Sequence, residues 1–224
     1  MWQALEDSFG YRVLLAALLF AVLLGHDLIR NRQNPARARE YAFLLFATCL
    51  ASTYGVLHDH VTATISSEYF LIGKNLAADP RPFRVAVTVL ALKATFGLGL
   101  LGGALLLIAN NPSPHRPQLS YRELARLCMV PLAAAAVLAI FGAALFAANV
   151  VGLRDVAEDF AGRGTRATRF LVTWGMHSGS YAGGLAGTIV ALVLIRRGRR
   201  SRSGQGVTSA DGALPGNPTD DSGR

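Results

Sequence analysis

The feature that leaves this chain fewest options is a set of five almost uncharged apolar stretches, at 11–28, 41–60, 85–109, 127–153 and 170–195. A helix rising 1.5 Å per residue needs about 20 such residues to cross a hydrocarbon core roughly 30 Å thick. Inside that core every backbone N–H and C=O must be satisfied by the chain itself, which leaves helices or a closed barrel. These stretches are too continuously apolar for barrel strands, which alternate residue by residue. The expected fold is therefore all-α, an integral membrane bundle of five helices. Charge agrees, because only 16% of the 224 residues are charged, against about 25% in soluble domains. The formal charge of +8 is scattered over the gaps between apolar stretches, with no aromatic-interleaved basic patch. Membrane lipid is thus the expected partner, and nucleic acid is not.

Orientation follows from the arginines and lysines in the connections. With the N-terminus outside, the inner segments hold twelve, including Arg30 to Arg39, Arg116 to Arg126 and Arg196 to Arg202, and the outer segments hold eight. The first stretch is read as a retained span, since its leader MWQALEDSFGYR carries two acids and no cleavage pattern follows Leu24. Asp155, Glu158 and Asp159 lie beside outer arginines and read as a solvated loop of mixed charge. Past Ile195, residues 196–224 lose apolar periodicity and fill with Arg, Gly, Ser, Pro and Asp. They are expected to form a disordered basic tail whose first arginines lie on anionic headgroups at the cytoplasmic face.

Lipid offers no hydrophobic drive between helices, so close packing depends on small residues recurring every four positions. Gly175, Gly179, Gly183 and Gly187 form such a ridge on the last span. Ala47, Ala51 and Gly55 on the second span, Gly99 and Gly103 on the third, and Ala17, Ala21 and Gly25 on the first offer shorter ones.

Ionisable groups at membrane depth are costly and point to function. The second span ends in GVLHDHVTATISSEYF, and the last carries His177 with Tyr181 one turn later. Hairpin connectivity brings both segments to the outer side. His58 and His60 lie about 200° apart on a helix, so only one can face inward, and His58 is chosen because Thr62 shares its face. Glu68 is about 15 Å along a straight helix and reaches the same place only if the chain bends near Ser66 and Ser67. The expected metal ligands are His58, His177 and Glu68, with Asp59, Thr62 and Tyr181 as supporting or proton-relaying groups. Two imidazoles with carboxylates suit zinc, iron or copper. Lys93 is expected to snorkel to the outer interface or to meet Glu68. No H-E-x-x-H, G-x-S-x-G or phosphate-loop motif occurs in the sequence.

At these residues the chain resembles a group of bacterial multi-pass membrane proteins of unknown function that show His-Asp-x-x-Thr followed by Glu-Tyr-Phe near the end of one span. The last span of that group carries a histidine four residues before a tyrosine, then glycines. The matching residues are His58, Asp59, Thr62, Glu68, Tyr69 and Phe70, then His177, Tyr181, Gly183 and Gly184. The resemblance implies a pairing of the two segments and no activity; the inner (cytoplasmic) membrane is the expected location. Three readings follow. The chain binds a transition metal at its outer face, or it is a small proton-coupled transporter, or it is a non-catalytic subunit docked by its glycine ridge in a homo-oligomer or larger membrane complex.

Overall fold

The computed structural model describes residues 2–31, 36–113 and 116–211, and among them the regular structure is helical, with no strand. Helix α1 spans Trp2–Arg30, α2 Ala36–Ile65, α3 Phe83–Ala109, α4 Tyr121–Leu127, α5 Met129–Ala147, α6 Arg154–Ala161 and α7 Thr165–Asp211. A π-helical turn, Tyr69–Gly73, and a 3-10 turn, Leu76–Ala78, lie between α2 and α3. Five segments are long and apolar enough to cross a membrane: Val13–Arg30, Arg37–Ile65, Phe83–Ala109, Tyr121–Ala147 and Thr165–Ser201. The chain is a multi-pass helical membrane protein.

The fourth span differs from its expected range, beginning earlier and ending earlier. Its start is fixed by a capping box in which the Ser120 hydroxyl accepts from Glu123 N–H while Glu123 returns to the Ser120 backbone. Its end is set by Asn149, held at φ 53°. Val150 N–H reaches back to Leu145 O and Asn149 N–H to Phe146 O, the reciprocal closure of a left-handed helix cap. The apolar letters after Ala148 therefore belong to a turn. Within this span α4 gives way to α5 at Cys128, because Pro131 has no N–H for the Leu127 carbonyl and crowds it.

Helices pack as two pairs, α2 with α3 and α5 with α7, and α1 leans on α2 alone to any extent. The α5–α7 seam brings backbones into contact. A Cβ on Gly175, Gly179 or Gly183 would collide with the carbonyl oxygen of Gly142, Leu138 or Ala134, and one on Gly187 would lie 2.6 Å from Pro131 Cα. The glycine ridge is thus consumed inside the chain and offers no free stripe for docking onto a larger complex. Gly142, on the opposing helix, completes the seam with buried Ala135 and Ala139. In the other pair Gly99 and Gly103 seat against Ala51 and Ala47, and Gly55 against Thr95. The small residues of α1 do not share this role: nothing lies within 4 Å of a Cβ at Gly25, and Leu14, Leu18 and Val22 face outward. Buried Asp27 ties α1 to α2, accepting from Ala38 N–H at 2.9 Å and from the Asn31 amide at 2.8 Å.

Two buried clusters close the ends of the bundle. One gathers Ala63, Tyr69, Phe70, Phe170 and Leu171 with Ala157 and Ala161 of α6, and the other Phe43, Leu106, Leu124 and Ile195. The segment expected to be a solvated loop is thus partly helix α6, supported by Arg154 to Glu158 at 3.2 Å and by its buried alanines. Helix α7 also runs past Ile195, so residues 196–211 are helical where a disordered tail was expected; 212–224 lie outside the described residues. A buried arginine accounts for the first part of that extension. Arg199 donates to the carbonyls of Ala109 at 2.7 Å, Arg116 at 3.0 Å and Pro117 at 3.2 Å. Charge-assisted bonds to otherwise unpaired carbonyls are worth about 1.5–3 kcal/mol each. Arg199→Ala is accordingly expected to lower stability by roughly 2–4 kcal/mol, read as a fall in melting temperature in detergent; an unchanged melt would show that the clasp carries no load.

Candidate metal centre

The site lies where α2 and α7 cross, near the end closed by α6. His58, Asp59 and Thr62 come from the last two turns of α2, one turn apart, so His58 and Thr62 share a face. His177 enters from α7, on the side away from the glycine seam. The two imidazoles meet edge to face with centroids 4.9 Å apart. One ligand atom from each of His58, Asp59 and His177 can be chosen so that all three lie within 4.8 Å of one another. Asp59 and His177 are buried, and Asp59 Oδ1 stands 3.9 Å from His177 Nδ1.

Hydrogen-bond bookkeeping assigns the His177 tautomer. The single hydroxyl hydrogen of Thr62 goes to the His58 carbonyl, 2.9 Å away on the preceding turn. Thr62 Oγ1 therefore accepts from His177 Nε2, at 3.4 Å. That leaves the Nδ1 lone pair of His177 3.9 Å from the Asp59 carboxylate, a pairing that a cation or a proton between the two would satisfy. His58 has a matching deficit: among the described residues, its buried Nε2 has no hydrogen-bond partner. A buried nitrogen left without a partner costs about 1–3 kcal/mol.

The chain bends at Ser66 as the sequence spacing required, but the bend does not deliver Glu68. Helix α2 stops at Ile65, the Ser66 hydroxyl accepts from Tyr69 N–H at 3.3 Å, and a π-helical turn follows. The Ser66 hydroxyl also donates to Glu68 Oε2 at 3.1 Å, and Glu68 is outside the three-residue group. The turn instead lays Tyr69 and Phe70 on His177. Tyr69 stacks on the imidazole at 4.8 Å and Phe70 meets it edge-on at 5.7 Å. Burial raises the Tyr69 phenol above its ordinary range, so the ring stays a neutral wall of the site. Tyr181 stands beside His177 with centroids 6.4 Å apart and is half exposed.

His60 turns away, its Nε2 2.9 Å from Thr88 Oγ1 on α3. The Arg81 side chain is the main cause that holds the Asp79 carboxyl at about 2, and the charge of Lys93 adds a little to it. Two site residues were absent from the sequence reading. Tyr54, one turn before His58, stacks on that imidazole at 5.7 Å, and its hydroxyl shares a 3.0 Å hydrogen bond with Ser180 of α7. Tyr54 sits four residues before His58 and Ser180 three after His177, so helical spacing alone would have put each beside its histidine.

Chemically the group offers two nitrogens and one oxygen, with zinc bond lengths of about 2.0–2.2 Å demanding ligand atoms roughly 3.3 Å apart. The side chains would have to draw together by about 1.5 Å at most, within reach of small rotamer adjustments. Comparison with known protein families, curated proteins and solved structures finds no match to this chain.

Proposed function

We propose that this membrane protein binds one transition metal ion through His58, Asp59 and His177, with Thr62 fixing the His177 tautomer and the Tyr69 and Phe70 rings shielding the site. The observation that carries the reading is convergence: two imidazole nitrogens and a carboxylate from two distant segments meet in a buried place, and one of those nitrogens has no other partner. A ligating histidine characteristically donates its second N–H to a fixed acceptor, which is the role Thr62 takes here. Buried carboxylate and imidazole without a cation would be an expensive arrangement to retain. Three protein ligands leave a fourth position open, as in zinc sites that do chemistry rather than hold structure. With N-out orientation in the inner membrane, the site faces the outer side.

The residues behind the family resemblance support the reading in one respect. His58, Asp59, Thr62, Tyr69, Phe70 and His177 all touch or adjoin the same centre.

Elemental analysis of detergent-purified protein, expressed without a metal-binding tag, tests it. Wild type is expected to hold about one zinc, iron or copper per chain. His58→Ala, His177→Ala and Asp59→Asn should lose it, whereas Glu68→Gln should keep it. Folded wild type that carries no metal, and takes none up when incubated with each ion, would overturn the proposal and favour a proton shared between Asp59 and His177.

A further inference from the structure

Between the two closed ends of the bundle the helix pairs stand apart. The space is a slot of about 440 Å³, walled by α2, α3, α5 and α7, within the roughly 300–1,000 Å³ of small-molecule sites. On α3 it extends from Thr95 to Leu106, about 16 Å along the helix axis. Its walls are glycine, alanine and leucine, and several of them, Leu98, Leu101 and Leu185 among them, are also exposed on the membrane-facing surface. The slot therefore opens sideways into the acyl phase rather than to water. At one end Tyr54 and Ser180 share their hydrogen bond and Tyr181 adjoins them, while toward the other Thr188 spends its hydroxyl hydrogen on the Gly184 carbonyl. The Tyr54 end lies one helical turn from His58 and His177.

We propose that the slot binds the hydrocarbon chain of a single-chain membrane amphiphile and presents its terminal oxygen group, an alcohol or carboxylate, to the His58, Asp59 and His177 centre. The shape selects the class. A long narrow slot parallel to the helices accepts one extended chain, and two well-packed clusters stop it at either end. Polarity sets the direction, because Tyr54, Ser180 and Tyr181 stand at the end next to His58 and His177, from which the slot runs past the middle of α3 to Leu106. Chemistry matches the destination: a hard oxygen donor is what an open fourth position on the metal would take. The delivery of the polar end rests on the metal reading; occupancy of the slot by a chain does not.

Two glycines supply the test. A Cβ at Gly102 or at Gly184 meets nothing within 4 Å, and both residues line the slot, so leucine there fills it without straining the helix contacts. The probe is a palmitic acid analogue with a mid-chain diazirine, photolysed with the full-length protein in phospholipid nanodiscs and mapped by mass spectrometry. Wild type should give adducts at Leu98, Leu101 or Leu185 that palmitate competes away and hexadecane does not. Gly102→Leu and Gly184→Leu should each lower those adducts about tenfold or more, with metal content unchanged. Adducts as abundant at outward-facing Leu45 and Ile140, or undiminished in both leucine variants, would overturn the proposal. In His58→Ala the slot should still be labelled, but palmitate should lose its advantage over hexadecane. Selective labelling in a wild type found to hold no metal would defeat the metal reading and leave the slot standing.

Discussion

Gly183→Leu is expected to separate α5 from α7 and leave a protein that aggregates on detergent extraction. The position has no room for any side chain: even a Cβ would press on the Ala134 carbonyl and lie 2.7 Å from Ala135 Cα. Both obstacles are backbone, so no rotamer change relieves them, and the whole helix must move. Overpacking a soluble core costs about 1–3 kcal/mol, and here the displaced surface belongs to the most extensively packed helix pair among the described residues, so a loss above about 3 kcal/mol is expected. The seam matters because helices in lipid associate by van der Waals contact, which falls off within an ångström or so of separation. Gly183→Ala should also destabilise, although alanine is favoured over glycine in a helix by about 1 kcal/mol. The neighbouring Gly184→Leu is the internal control, since it adds the same mass to the same turn where nothing stands within 4 Å. Size-exclusion profiles and thermal melts of the three variants beside wild type check this. Equal behaviour of Gly183→Leu and Gly184→Leu would show that the ridge does not hold the pair together.

How much of this was legible beforehand depended on whether a signal was local. Apolar length revealed five spans, because bilayer thickness imposes it on each helix separately. The glycine ridge was equally plain, since a spacing of four on one helix needs no knowledge of its partner. Its partner was not plain: Gly142 stands alone in an alanine-rich stretch, and only the crossing of two helices makes it part of the seam. Boundaries failed where hydrophobicity and backbone disagreed. Val150 and Val151 read as membrane, but Asn149 in the left-handed conformation had already closed the helix. The reverse error concerns residues 196–211, where polar composition suggested disorder and Arg199 found carbonyls from a loop more than 80 positions away. At the site, helical phase identified His58 and Thr62 as co-facial and turned His60 outward. The same phase could not follow the chain beyond Ser66, where a break and a π-helical turn exchange Glu68 for Tyr69 and Phe70 against His177.

His177→Phe should abolish metal binding while leaving the fold of the metal-free protein close to wild type. The ring sits among Tyr69, Phe70, His58 and Tyr181 and is 4% exposed, an aromatic environment in which a phenyl, one ring atom larger, is the most conservative apolar replacement. What the imidazole gains there without a metal is small. Its bond to Thr62 is 3.4 Å long, and Asp59 stands 3.9 Å away, beyond hydrogen-bond distance. Exchanging a poorly bonded buried polar ring for a somewhat larger apolar one sets a small loss of bonding against mild overpacking, so the metal-free melts should agree within about 1–3 kcal/mol. Metal separates the two proteins. A ligand present at 100 times its dissociation constant stabilises the folded state by about 2.7 kcal/mol, through linkage. Titrating zinc, ferrous iron and copper in turn should therefore raise the wild-type melting temperature with at least one ion and leave His177→Phe unmoved. An identical rise in both would place the metal elsewhere, and the paired imidazoles would then be a packed aromatic contact rather than a binding site.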